Sequence, residues 1–195
     1  MNWREVPIPH RMRALIKDER GYPVPYVVLR DSDGKPHFTV NDSERRLKAL
    51  KERRCHVCGS KLDRAFWFVG GPLSAFHVNG CYNDGPLHKE CMEYALRVCP
   101  YLALTKYMGR IDASTVDKDK IPDGMVFFDP TITPERPPLF VCVETMNYTL
   151  TDATETCYIH PRRPYMGVQY WRSGERLTDA DAHVIYLEAL GVHIA

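Results

Sequence analysis

The chain has no excess of either charge: 26 Lys and Arg stand against 25 Asp and Glu in 195 residues, a formal net of +1. That is not the composition of a uniformly basic nucleic-acid protein. It also has no apolar run near the ~18 to 20 residues a membrane helix needs, and no charged-then-apolar leader over Met1 to Arg20. The expectation is therefore a soluble, intracellular (cytoplasmic) protein that does not enter a membrane. No serine sits in a nucleophile setting, and no glycine loop is built to cradle phosphate; Gly70-Gly71 reads as a turn. Internal repeats and low-complexity tracts are missing too. Seven cysteines is an odd number, and in a reducing compartment they are thiols or metal ligands rather than a bridge framework.

Against these absences, one constellation stands out. Cys55-His56-Val57-Cys58-Gly59 is followed, 29 residues on, by His88-Lys89-Glu90-Cys91. A Cys-x-x-Cys-Gly turn points two sulfurs at one spot, and a His-x-x-Cys pair at a helix start supplies two further ligands for a tetrahedral Zn²⁺. Four protein ligands leave no position for water or substrate, so the expected site is structural. The adjacent Arg53 and Arg54 and the amino end of the helix near His88 are expected to offset its negative charge. His77 and Cys81 are the alternative ligands, either able to replace His88 if the intervening loop folds back. Cys99, eight residues beyond Cys91, lies ~12 Å along a helix and is too far to share the ion. Cys142 and Cys157 read as buried thiols.

Two catalytic readings compete. His88-Lys89-Glu90 matches the His-x-Glu element of zinc deaminases, in which a carboxylate shuttles protons for a metal-bound water. The cysteine pair comes before rather than after it, however, and Cys91 would fill the water's position. The stretch from His77 through Asn79 or Asn83 to His88 faintly resembles His-Asn-His nucleases, but His88 is already claimed by zinc.

The apolar pattern predicts one α+β domain over 1–195, with a zinc-organised part at 1–110 and a strand-and-helix part at 111–195. Arg11 to Lys17 is a short helical candidate. Tyr26–Leu29 and Pro36–Val40 read as one hairpin, and Arg64–Val69 with Leu73–Val78 as a second. Asn41 and Glu44 suggest a capping box opening a helix to Arg53, whose large apolar residues are Leu47 and Leu50. Pro86 begins a helix with Met92, Ala95, Leu96 and Cys99 inward. Asp112–Gly124 is a charged surface connection, and Leu139–Thr145 and Gly167–Trp171 are strands. Thr178 with Asp181 caps a last helix offering Val184, Ile185, Leu187 and Leu190 to the core. Cysteine turn, hairpin and ligand-bearing helix, in that order, give a treble-clef zinc finger core with flanking β-hairpins and a C-terminal helix.

Charge is unevenly placed. From 44 to 64 there are eight Lys or Arg against three acids, and from 111 to 135 six acids against two lysines. Arg46, Arg53, Arg54, Lys61 and Arg64, gathered around the cysteine turn, are the candidate contacts to nucleic-acid phosphates. The cations on the helix before Cys55 step around its cylinder, so a solvated face is the plainer alternative.

In this order the motifs resemble a family of bacterial and phage zinc-finger-like proteins. The matching residues are Asp18 to Pro25, Asp33-Gly34-Lys35-Pro36, the Cys55 to Gly59 turn, Phe68-Val69 with Gly71-Pro72, Pro86, His88, Cys91, Tyr94-Ala95 and Cys99-Pro100. Tyr170-Trp171 and the terminal helix match the ending as well, so the likeness runs nearly end to end. A cysteine that usually follows the family's Gly-Pro is replaced here by Leu73-Ser74. The resemblance implies a phage or bacterial origin and carries no assigned reaction. Together these readings give a zinc-binding module for nucleic acid or, alternatively, for a host or phage protein, rather than an enzyme.

Overall fold

The computed structural model describes residues 3–104, 136–151 and 157–191. The expected surface connection at 112–124 lies outside them. The amino-terminal segment makes 3-10 turns at Trp3–Glu5 and His10–Met12. The second is all that forms of the helix expected over Arg11–Lys17: Val24 donates to the Ile16 carbonyl and Lys17 bridges to Pro23, so the chain has already turned extended there.

Strands β1 (Val28–Arg30) and β2 (Pro36–Asn41) pair antiparallel, with β1 starting at Val28 rather than at Tyr26 because Tyr26 and Val27 are in a turn. Asp31 closes its turn by accepting from the Asp33 and Lys35 amides. Helix α1 (Ser43–Lys51) is capped one residue later than expected, with Asp42 accepting from the Arg45 amide at 3.0 Å, because Asn41 still belongs to β2 and pairs with Val28. Leu50 is buried, whereas Leu47 is exposed.

Strand β3 (Phe66–Gly70) does not turn back into a second strand. Leu73–Phe76 instead lies in α2 (Pro72–Phe76), because extended Gly71 at the cap and Pro72 at the first helical position start a helix there. Helix α3 (Lys89–Val98) starts after His88, and Pro100 both ends it and opens α4 (Pro100–Ala103). Next come β4 (Phe140–Thr145), β5 (Tyr148–Leu150), β6 (Ile159–Pro161), β7 (Gly167–Arg172), β8 (Glu175–Leu177) and α5 (Asp179–Ala189). The Thr178 side chain accepts from the Asp181 amide, as the capping pattern predicts.

The partner of β3 is β4, more than 70 positions away in sequence, and the central antiparallel sheet runs β3-β4-β7-β8. It therefore combines strands from both predicted parts of the chain. Alternation along its strands sorts two cores. Trp67, Phe140, Cys142 and Trp171 face α3 and the cysteine turn. Phe66, Phe68, Val141 and Val143 face a second cluster with Leu50, Ala75, Tyr82 and Ile159. Ala182, Ile185 and Tyr186, at i, i+3 and i+4, dock α5 on that second side. Val184 and Leu190, expected in the core, are exposed, because the apolar residues of α5 circle the helix and only one narrow face meets the sheet.

Candidate metal centre

Two backbone devices converge on one point. After α1 the chain reverses through Arg53, which has φ +53°, and a short antiparallel bridge joins Arg54 to Lys61. Inside that bridge Cys55 N–H donates to the Ser60 carbonyl at 2.9 Å, and Gly59 N–H donates to the Cys55 carbonyl at 2.8 Å. Gly59 has φ +74°, and a Cβ there would lie 2.7 Å from the Tyr26 ring, so the turn requires glycine twice over. On the other side, Trp67 and Leu87 exchange both backbone hydrogen bonds at 2.8 Å, fixing the residue just before His88. His88 is the cap of α3, and Cys91 lies in its first turn.

The ligand atoms of Cys55, Cys58, His88 and Cys91 all lie within 4.8 Å of one another. Cys55, His88 and Cys91 are buried, and Cys58 is half-buried. His88 Nε2 is 2.9 Å from the Lys61 carbonyl, to which it donates, and this leaves Nδ1 facing Cys58 Sγ at 3.3 Å. A tetrahedral Zn²⁺ with ordinary bond lengths separates such S and N ligands by about 3.6 Å, close to what is seen. A carbonyl holding the outer nitrogen is the usual partner of a metal-bound imidazole.

The acid–base behaviour of the cluster also suits a cation. Hydrogen bonds from Cys55 and Cys91 outweigh burial and push the Cys58 thiol down, while hydrogen bonding to Cys55 and Cys58 pushes Cys91 up. Burial opposes charging of His88, but the Cys55 and Cys58 sulfurs more than offset it and push that imidazole up to about 10. By themselves these groups favour one thiolate paired with an imidazolium. A divalent cation lets three thiolates coexist and takes the Nδ1 lone pair, so the donor set fits zinc and other soft or borderline metals.

All four sequence-derived ligands are thus brought together, and neither alternative joins them. His77 is exposed, with Nδ1 accepting from the Asn79 amide, and Cys81 is outside the cluster. Glu90 pairs with Arg11, whose Nε is 3.0 Å from Oε1, and it is not among the four residues whose ligand atoms converge.

The basic set behaves differently. Arg46 donates to the Asn83 and Cys157 carbonyls at 2.7 Å each. Arg53 donates to the Met146 carbonyl and lies over the Phe66 and Tyr148 rings, Arg54 bonds Glu52 and the Gly59 carbonyl, and Lys61 donates to the Glu52 carbonyl. Only Arg64 of the five is exposed without a partner among the described residues. Arg11 also lies beside the candidate ligands, its Nη1 3.3 Å from His88 Nε2.

Arg11 and His56 were not singled out by sequence reasoning. Arg11 brackets the site with Asp63 at 3.1 Å and Glu90, and its Nη1 lies 3.3 Å from His88 Nε2. Both of those nitrogens carry protons when His88 donates to Lys61, so that last approach is a contact and not a hydrogen bond. No local pattern could have revealed an arginine so far along the chain from its partners Asp63 and Glu90. His56 is buried; its backbone N–H donates to the Pro86 carbonyl and its Nδ1 accepts from Gly85 N–H. Burial, reinforced by Arg46, pushes it down to about 3 and keeps it neutral. It fastens the cysteine turn to the segment that leads into His88, and a Cβ on Gly85 would overlap its ring.

Compared with protein-family models, curated proteins and solved structures, the chain matches none.

Proposed function

We propose that the protein is a binding module organised by one structural zinc ion in a treble-clef-like arrangement, without a catalytic metal. The observation that carries this is the convergence of four candidate ligands within 4.8 Å of one another, the number that fills a tetrahedral Zn²⁺ site without water or substrate. The reduced hairpin formed by β3 and the Leu87 rung, followed by α3, supports the treble-clef reading.

A protein is the favoured partner. Four of the five cations read as phosphate contacts are engaged within the fold, while Leu73, Phe76 and Val78 in and just after α2 are 70%, 50% and 81% exposed. Nucleic acid is the second reading and rests on Arg64, with Lys48 and Lys51 exposed on α1. The two separate by salt dependence. A duplex or single-stranded oligonucleotide bound through phosphates loses affinity steeply between 50 and 200 mM salt, roughly as the number of phosphate contacts, and Arg64→Ala should lower that slope by about one. Salt-independent retention of a partner would favour protein.

The zinc assignment itself is tested by metal analysis of the purified protein beside Cys55→Ser and Cys91→Ser. One equivalent of zinc in the parent and a clear loss in both variants is expected. Unchanged metal content would remove the proposal's foundation.

A further inference from the structure

Away from the metal centre, where β4 begins beside the end of β7, a cavity of about 210 Å³ is lined by Arg136, Pro137, Pro138, Leu139, Phe140 and Arg172. Among the described residues that line it, two are arginines and none is acidic. Arg136 lies against the rings of Tyr101 and Phe140, its guanidinium carbon 6.0 and 5.4 Å from their centroids, and Nη2 donates to the Leu102 carbonyl at 2.8 Å. Its Nη1 is buried with no hydrogen-bond partner among the described residues. Arg172 is exposed, and neither guanidinium has an ion pair among the described residues. Two like charges at one cavity, one with an unpartnered buried donor, are costly unless something anionic joins them.

The geometry points to a binding site for a small organic anion, a carboxylate or phosphate ester with a compact apolar body, held between Arg136 and Arg172. The oxyanion accepts from the two guanidinium groups, for which their fork of donors is suited. The apolar body rests on Pro137, Pro138, Leu139 and Phe140. Because solvent does not reach Nη1, seating the anion involves a turn of the Arg136 guanidinium about its bond to Leu102. The cavity volume admits a phenyl-sized group and excludes a folded macromolecule. The proposal does not rest on the zinc assignment or on the proposed partner.

Isothermal titration of the full-length, zinc-loaded protein with phenyl phosphate, benzoate and inorganic phosphate tests this. Saturable binding of phenyl phosphate or benzoate, tighter than inorganic phosphate, is expected. Arg172→Gln lies on the surface and should leave zinc content and melting unchanged while weakening binding tenfold or more. Arg136→Gln should weaken it further, and Arg176→Gln, on the neighbouring strand, should have no effect. No saturable binding below about 10 mM, or equal affinity in the Arg172→Gln variant, overturns the proposal. So does inorganic phosphate binding as tightly as the aromatic probes, since it would show that the apolar wall takes no part.

Discussion

The two faces of the central sheet are fastened by different means. On one, Trp67, Phe140 and Trp171 lie over α3 and a cluster whose members include Cys55 and Cys91, so apolar packing there is continuous with the metal ligands. On the other, Phe66, Phe68, Tyr82 and Tyr148 pack edge to face or tilted, with centroids 5.4 to 5.9 Å apart, and no candidate ligand takes part. In the proposed reading the first face is fastened by an ion as well as by apolar packing, the second by surface taken out of water alone. All three tryptophans, Trp3 included, pack on the metal face, so indole fluorescence reports that side alone.

The largest effect should come from breaking the metal side. Cys91→Ser, or a strong chelator, removes a contribution on the order of 10 kcal/mol, and tryptophan emission should shift red while zinc content falls. If emission and melting are unchanged, the two faces do not differ as described. Phe68→Ala strikes the opposite side: a loss of about 3 to 5 kcal/mol in denaturant melts is expected, with the full equivalent of zinc retained. Zinc loss in that variant would show that the faces form one unit.

Smaller changes sharpen the contrast. Gly85→Ala must displace the His56 ring and should cost about 1 to 3 kcal/mol while lowering zinc affinity, because His56 ties the cysteine turn to the His88 segment. Asp18 offers a pH test on the metal face that involves no ligand. Burial alone would raise its carboxyl, but the Tyr22 and Arg20 donors hold it below the usual carboxylate range. Its contribution is therefore full above about pH 4 and is lost as pH falls through the lowered folded value. Asp18→Asn should flatten the acid limb of a stability profile relative to the parent. Arg11→Ala comes last: its pairs with Asp63 and Glu90 are partly exposed, so about 1 kcal/mol or less is expected, with zinc retained by calorimetry and metal analysis.

The ligands were legible because coordination chemistry fixes residue type and spacing at once, and Cys55, Cys58, His88 and Cys91 satisfy both. The first hairpin and the Thr178 cap were legible for a similar reason: each is a local pattern with a local cause. Leu73–Val78 misled because its apolar residues suit a strand, while the deciding signal was Pro72 after Gly71, a helix start. The pairing of β3 with β4 and the reach of Arg11 to Asp63 and Glu90 are long-range choices that no window of sequence contains. The basic segment shows the same limit from the charge side. Composition reveals that Arg46, Arg53, Arg54 and Lys61 cluster, but only the fold shows which carbonyls they already serve.

The reciprocal pair of hydrogen bonds between Trp67 and Leu87 sets a residue of the sheet one peptide away from a ligand. With the proposed ion bound at His88, slackening there reaches β3 through that rung. Deuterium uptake at those two amides thus serves as a gauge of metal occupancy built into the backbone, rising early as the ion leaves and sparing the amides around Val141 and Val143.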